Sequence, residues 1–292
     1  MTEPACILDG RFDLAESPVW SVAEQALWFV DINTPGLHRY DPVSGAHRHW
    51  SMPAAIGCIA YDRDGGLIAA LRDGLYRLDL SQGKHRLLAA APYDTARMRF
   101  NDGRCDRQGR FWVGTMTDDR QPHGTLYRFD GTRFIEAKLP GAIATSNGLA
   151  WSPDGCILYH ADTPTMQVQA YDYDIATATL SNRRLFLDLR GSGERPDGAT
   201  VDSAGNYWLA LYGAGKVVQF SPAGERLREI HLPVKAPTMP CFGGPDLRTL
   251  FITTARQKHT AEELEKMPLA GDIFSIGVDI PGLPETLFSL TK

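Results

Sequence analysis

The sequence predicts an all-β chain folded as a six-bladed β-propeller with four antiparallel strands per blade. Three observations predict it. The first is a repeat. Six segments share an apolar or small turn, a strand, a Gly/Asp/Pro turn and a second strand rich in Trp, Phe and Leu. They begin ESPVW at Glu16, GCIAY at Gly57, NDGRC at Asn101, NGLAW at Asn147, DGATV at Asp197 and MPCFG at Met239. Their first residues lie 41, 44, 46, 50 and 42 apart, a period in the forties that is typical of propeller blades. The second observation is what fills the intervals. GLHRYDPVSGAHRHW, GLYRLDLSQGKHRLL, GTLYRFDGTRFIEAKL, VQAYDYDIATATLSNRRLF and KVVQFSPAGERLREIHL each read as a two-strand hairpin by alternation around a central Gly, Asp or Pro. The third is composition. Glycine (28) and proline (19) together make up about a sixth of the chain, and the one convincing helical stretch is HTAEELEKM, around Glu262 to Met267. The repeat runs without a linker, so residues 1–292 are read as one domain; a pair of β-sandwiches would leave the repeat unexplained.

With 43% hydrophobic and 22% charged residues the chain has ample material for a core. Its net charge of −5 argues against a nucleic-acid partner, which calls for a basic patch. No apolar run approaches the roughly 18 residues that span a bilayer. The start, MTEPACILDGRFD, lacks the basic and apolar regions of a signal peptide. The expected setting is cytoplasmic, with a small-molecule partner and no obligatory protein partner evident. Five cysteines (Cys6, Cys58, Cys105, Cys156, Cys241) lie far apart and never as CxxC, which gives neither a zinc knuckle nor a disulfide framework.

Equivalent positions of successive blades converge on a propeller's axis. The first residues of the six segments are therefore expected at one mouth of the channel: Glu16, Gly57, Asn101, Asn147, Asp197 and Met239. Four carry side-chain oxygens and none is a cation. Buried carboxylates without a partner are costly, so such a ring calls for a central positive charge. Oxygen donors of this kind suit Ca2+, Mg2+ or Mn2+. Taken singly, Asn147-Gly148 and Pro196-Asp197-Gly198 are ordinary turn formers, and Glu16 fits a solvated loop. Their common register over four blades is what turn formation does not require.

The segments AESPVW (Ala15 to Trp20), RFNDGRCDRQGRFWVGTM (Arg99 to Met116), SNGLAWSPDG (Ser146 to Gly155) and RPDGATVDSAGNYW (Arg195 to Trp208) resemble the senescence marker protein/gluconolactonase family, also called regucalcin-like. PCFGGPDLRTLFITTA (Pro240 to Ala255) is similar to that family's last blade, so the resemblance covers practically the whole chain. It implies a six-bladed propeller that binds one divalent cation in its channel, and hydrolysis of a sugar lactone as in many members. Carried over residue by residue, it places metal ligands on Glu16, Asn147 and Asp197. It places substrate-binding groups on Arg99 and Asn101. A further substrate-contacting carboxylate falls on Asp119, in a stretch (TDDRQPHG) that departs from longer versions. Gly57 and Met239 are expected as steric walls. The metal itself is open among Ca2+, Mn2+, Mg2+, Zn2+ and Fe2+.

A lactone is a cyclic ester, and its hydrolysis needs a polarised carbonyl, an activated water and charge stabilisation at the tetrahedral oxygen. A divalent ion with open positions supplies the first two. Asp197 is the candidate general base, Arg99 the forked donor for developing charge, and Asn101 and Asp119 the partners of sugar hydroxyls. An Arg99–Asp102 surface pair is the plain alternative for that arginine. The expected activity is metal-dependent opening of an aldonolactone (glucono-, xylono-, arabinono- or galactonolactone) to the aldonic acid. Two other readings stay open: an esterase or organophosphate hydrolase using the same site, and a non-catalytic calcium-binding propeller. No GxSxG, HExxH or Walker loop competes. GAGK (Gly213 to Lys216) reads as a hairpin turn. His160, beside Asp162, reads more readily as packing than as a mouth residue. Trp20, Trp112, Trp151 and Trp208 read as core, and Tyr212 as a rim contact.

Overall fold

In the computed structural model, which describes residues 3–289, every strand belongs to one of six four-stranded antiparallel sheets. In the first, Ala15–Ser21, Ala26–Asp31, Gly36–Tyr40 and His47–Ser51 pair in sequence order from the axis outward. The next four sheets repeat this plan from inner strands Ile56–Tyr61, Met98–Cys105, Ser146–Trp151 and Arg195–Val201. Innermost strands of successive blades pack against one another all the way round, the sixth (Pro237–Gly243) closing on the first. Burial follows the same order. The inner strand of the sixth blade is buried throughout, whereas the outer strand of the first (His47–Ser51) is almost wholly exposed.

The sixth blade departs from the sequence order. Its outermost strand is Ala5–Leu8, from the chain's start, pairing with Ile273–Gly277 beside Thr249–Thr254. Sequential hairpins predict four strands per blade but not this closure, which ties the two ends of the ring together. The predicted helix is present as Ala261–Lys266, with a capping box between Thr260 and Glu263, on the connection inside this blade.

The repeating turns fix one end of the channel. Asp106 accepts the amides of Gln108 and Arg110 and the indole N–H of Trp112. Asp202 does the same for Ala204, Asn206 and Trp208. Trp20, Trp112, Trp151 and Trp208 are all buried, as expected of core residues between blades. The C-terminal segment crosses this end: Ser203 N donates to Pro281 O, and Phe288 N to Tyr61 O. Arg104, from the third inner strand, meets Glu285 of that segment at 3.7 Å. The other end, where inner strands begin, stays open.

Candidate metal and substrate site

Each of the six inner strands carries a β-bulge near its start: between Glu16 and Val19, Ile56 and Cys58, Phe100 and Gly103, Asn147 and Ala150, Pro196 and Ala199, and Pro237 and Met239. A bulge breaks the strict alternation of side chains and re-aims one of them. Ser17 (φ 48°) and Gly148 (φ 62°), the residues after Glu16 and Asn147, take left-handed backbone at these points. The bulges also join blades. Ser17 Oγ accepts from Ile59 N at 3.0 Å, Asp102 Oδ2 accepts from Leu149 N at 2.8 Å, and the Tyr207 hydroxyl donates to Gly148 O at 2.8 Å.

Five of the six predicted site residues line one cavity at the open mouth: Glu16, Arg99, Asn101, Asn147 and Asp197. The space it leaves for water-sized groups is about 80 Å³, several times what one water needs. A larger, open recess of about 850 Å³ lies between the first two blades beside Trp28, Tyr61 and Arg77, and none of these five residues lines it. Convergence of polar groups, not size, therefore marks the mouth as the site. Asp119 is elsewhere. Its carboxylate accepts from Gln121 N at 3.1 Å and stands 4.0 Å from Arg97 on an exposed loop. Gly57 and Met239 do not line the cavity either. Met239 faces a small void deeper in the channel, with Ser17 and Arg104. A Cβ on Gly57 would stand 2.5 Å from Phe100 O, so that glycine permits close approach of two inner strands.

A chain of hydrogen bonds orients the amides. Thr163 Oγ1 donates to Pro196 O at 2.8 Å, so towards Asn147 it can only accept. Asn147 must therefore turn its Nδ2 to Thr163, at 2.8 Å, which leaves Oδ1 facing Asn101 and the cavity. Asn101 Nδ2 divides its two hydrogens between that Oδ1 (2.7 Å) and Ser146 O (2.9 Å). Its own Oδ1 accepts from Arg99 Nη1 at 2.7 Å. With both amide hydrogens committed, Asn101 acts chiefly to hold Arg99 and Asn147 in place. Arg99 donates through Nη1 to Phe100 O as well, at 2.9 Å, and its other nitrogens have no protein partner among the described residues. The surface pair with Asp102 does not form; Asp102 lies buried beneath the site.

Electrostatics set the two carboxylates apart. Asp197 is 5% exposed and accepts no hydrogen bond among the described residues. Burial first, then the charge of Asp102, push its pKa up to about 8; Arg120, Arg99 and Lys258 oppose that rise. Burial and the neighbouring Asp197 and Asp102 likewise hold Glu16 well above the usual carboxylate range. Burial lowers Arg99 to about 10. Two buried carboxylates that repel, with an amide oxygen beside them and no donor to one of them, form a donor set for a hard divalent cation. Among the described residues no three of His, Cys, Asp and Glu gather at one point. The third oxygen is that of the Asn147 amide.

Sequence reading missed Thr163, Arg120, Arg195 and Lys258, all of which line the cavity, and it weighed Tyr212, which also lines it, only as a rim contact. Arg195 lay in the RPDG motif, but the others come from loops after second strands, where the repeat carries no register. His160 is buried and bonds Ser146 Oγ at 2.7 Å, away from the mouth. Gly213 to Lys216 is a hairpin turn, as expected.

Fold and site together define a closed six-bladed propeller with an oxygen-donor set and a buried arginine at one mouth. Residues 14–256 match the family model described as SMP-30/gluconolactonase/LRE-like region, and the chain belongs to that family. It is 44% identical over 285 residues to a 6-deoxy-6-sulfogluconolactonase of Pseudomonas putida, covering 97% of this chain and 98% of the relative. It is 35% identical over 287 residues to regucalcin of Oryctolagus cuniculus, covering 96% of each. Among solved structures it superimposes on a calcium-binding protein, regucalcin, from Agrobacterium tumefaciens with a TM-score of 0.94 and 27% identity, over 99% of this chain and 98% of that one.

Proposed function

We propose that the chain hydrolyses a sugar lactone to its aldonic acid at this mouth, with a divalent cation seated on Glu16, Asn147 and Asp197. The observation that carries this reading is the meeting of a buried, undonated Asp197 with the partly free guanidinium of Arg99 across one small cavity. The Pseudomonas putida relative is named for a lactonase activity, which supports the substrate class, and the Agrobacterium tumefaciens neighbour is titled a calcium-binding protein, which supports a cation.

A divalent cation bound there supplies Lewis-acid polarisation of the lactone carbonyl. The chain's own groups do the rest. Asp197, with both oxygens free of protein donors, takes a proton from the attacking water as the water oxygen adds to the carbonyl carbon. Arg99 presents its unpartnered nitrogens to the carbonyl oxygen as negative charge develops there. The ring C–O bond then breaks, and the proton held by Asp197 passes to the departing oxygen, which becomes a hydroxyl. Asp197 lies buried at the base of a mouth that opens to solvent, so substrate enters from solvent. Merely holding a calcium ion would give Arg99 no task, which favours catalysis over simple binding.

The test is hydrolysis of glucono-, galactono-, xylono- and arabinonolactones, corrected for spontaneous opening, by wild type and Asp197→Asn. Asp197→Asn should lower kcat by about 10²-fold or more. A variant as fast as wild type would overturn the assignment.

A further inference from the structure

The outer half of the first blade carries a cluster that the mouth does not use. His38 stands on Gly36–Tyr40, and His47 and His49 stand on His47–Ser51. His38 lies across the ladder from His49, and Tyr40 from His47, which puts all three imidazoles on one face of the sheet. The rings are stacked: His38 lies 4.8 Å from His49 and 5.2 Å from His47 between centroids. Phe29 lies flat against His38 at 5.0 Å, and Phe12 meets it edge-on at 4.8 Å. None of the three histidines lines the mouth cavity.

Packing alone does not account for them. His38 is 6% exposed, and burial first, then His47 and His49, lower its pKa to about 3, so its imidazole is neutral. Its Nδ1 and His47 Nε2 are 3.1 Å apart, one donating to the other, but its Nε2 is buried with no partner among the described residues. An unpaired buried polar atom is costly, and a phenylalanine would stack here without it. A Cβ built on Gly36 would stand 2.9 Å from His38 Nε2 and 2.9 Å from His49 Nε2. The two nitrogens therefore converge over the one residue of this strand face that has no side chain. With the hydrogen of His38 on Nδ1, donated to His47, its Nε2 presents a lone pair; the opposite tautomer would bury an N–H with no acceptor. Metal-bound imidazoles have this arrangement, one nitrogen on the ion and the other N–H held by an acceptor. His49 is exposed and makes no side-chain hydrogen bond among the described residues, so it is free to turn.

We propose that His38 Nε2 and His49 Nε2 form a second metal site, for a divalent transition ion of the zinc, copper or nickel type, with His47 as the partner that fixes the His38 tautomer. Neutral imidazoles suit these ions, whereas the oxygen donors at the mouth suit hard ones such as Ca2+. Among the described residues no third His, Cys, Asp or Glu gathers with the pair at one point, so water completes the coordination from the exposed His49 side. The ion bridges the two outermost strands of the blade. Its effect is on the stability of that edge and not on lactone opening.

The test titrates metal-stripped protein with Zn2+ and with Ca2+ by calorimetry and follows the imidazole nitrogens by 1H–15N NMR. Zn2+ should shift the Nε2 resonances of His38 and His49 and leave those of His160 unmoved, and Ca2+ should shift none of them. His49→Gln, on an exposed outer strand, should fold normally, lose this Zn2+ step and leave lactone opening as in wild type. His47→Phe keeps the stack but removes the acceptor, and should weaken the step by about 10–100-fold. Asp197→Asn, altered only at the mouth, should retain it. In that background saturating Zn2+ should raise Tm, and adding His49→Gln should cancel the rise. His38 and His49 resonances that Zn2+ leaves unmoved, or a Zn2+ step that survives His49→Gln intact, would overturn the inference. Neither result bears on the lactonase reading, which rests on other residues.

Discussion

Asn147 shows how one hydroxyl decides what a side chain offers. Thr163 spends its hydrogen on Pro196 O, and together with the Asn101 amide donating from the other side this turns the Asn147 oxygen toward the cavity. Thr163→Val keeps shape but removes the acceptor, so the Asn147 amide keeps only Asn101 of its two orienting partners. Partners one step removed from a metal ligand typically matter by 10–100-fold. Thr163→Val should therefore weaken divalent-cation binding about tenfold and lower turnover with it, read by titration calorimetry alongside lactone hydrolysis; unchanged affinity would show that the amide needs no such support. Glu16, Asn101, Asn147 and Asp197 were legible because each opens a repeating segment, and Arg99 through the family resemblance of its RFNDG motif. Arg120 and Lys258 were not, because the loops that carry them repeat in neither length nor composition. Asp119 illustrates the same limit from the other side: a position matched by motif sits on a loop whose path the motif does not determine, and the structure turns it toward Arg97.

At the scale of elements, the bulges and the close approach of inner strands set the mouth's dimensions. Gly57 has no oxygen to contribute, and its value is space: an added Cβ would meet the Phe100 carbonyl, which precedes Asn101, at 2.5 Å. Backbone is hard to displace, so Gly57→Ala should destabilise the protein by about 1–3 kcal/mol and reduce activity through a shifted Asn101 and Arg99. Thermal denaturation with kinetics checks both; a variant with wild-type Tm and rate would show that the strands can part freely. The strands themselves were readable from alternation and turns, because a half-buried strand imposes a period of two. The closing strand Ala5–Leu8 escaped because four residues outside the repeat carry no signal of their partner. Deleting residues 1–9 should open the sixth blade's edge and lower Tm by several degrees; an unchanged Tm would mean the ring needs no such tie.

For the whole molecule, pH acts through groups of opposite sense. Burial lowers His160 to about 4, and burial with the neighbouring His47 and His49 lowers His38 to about 3. Below the ordinary histidine pKa of about 6.5 the unfolded chain binds protons that the folded protein refuses, so these groups reduce stability as pH falls from neutral. Glu16 and Asp197, raised in the folded state when no cation neutralises them, work the other way over the same range. Comparing wild type with His160→Gln isolates one contribution. Between pH 7 and pH 5 the variant should lose about 2 kcal/mol less stability than wild type, measured by urea denaturation. Parallel pH profiles would contradict the assignment of a neutral buried imidazole.

On the reading proposed above, the oxygen set at the mouth holds a divalent cation and lactone opening depends on it. The most direct test strips the protein of metal, restores single cations (Ca2+, Mn2+, Mg2+, Zn2+, Fe2+) one at a time, and follows acid release from aldonolactones in weakly buffered indicator. Stripped protein should show no turnover above spontaneous opening, and at least one cation should restore it, a recovery that Asp197→Ala and Asn147→Ala abolish together with binding. Full turnover by stripped protein, or a cation bound at Glu16, Asn147 and Asp197 with no lactone opened, would contradict it.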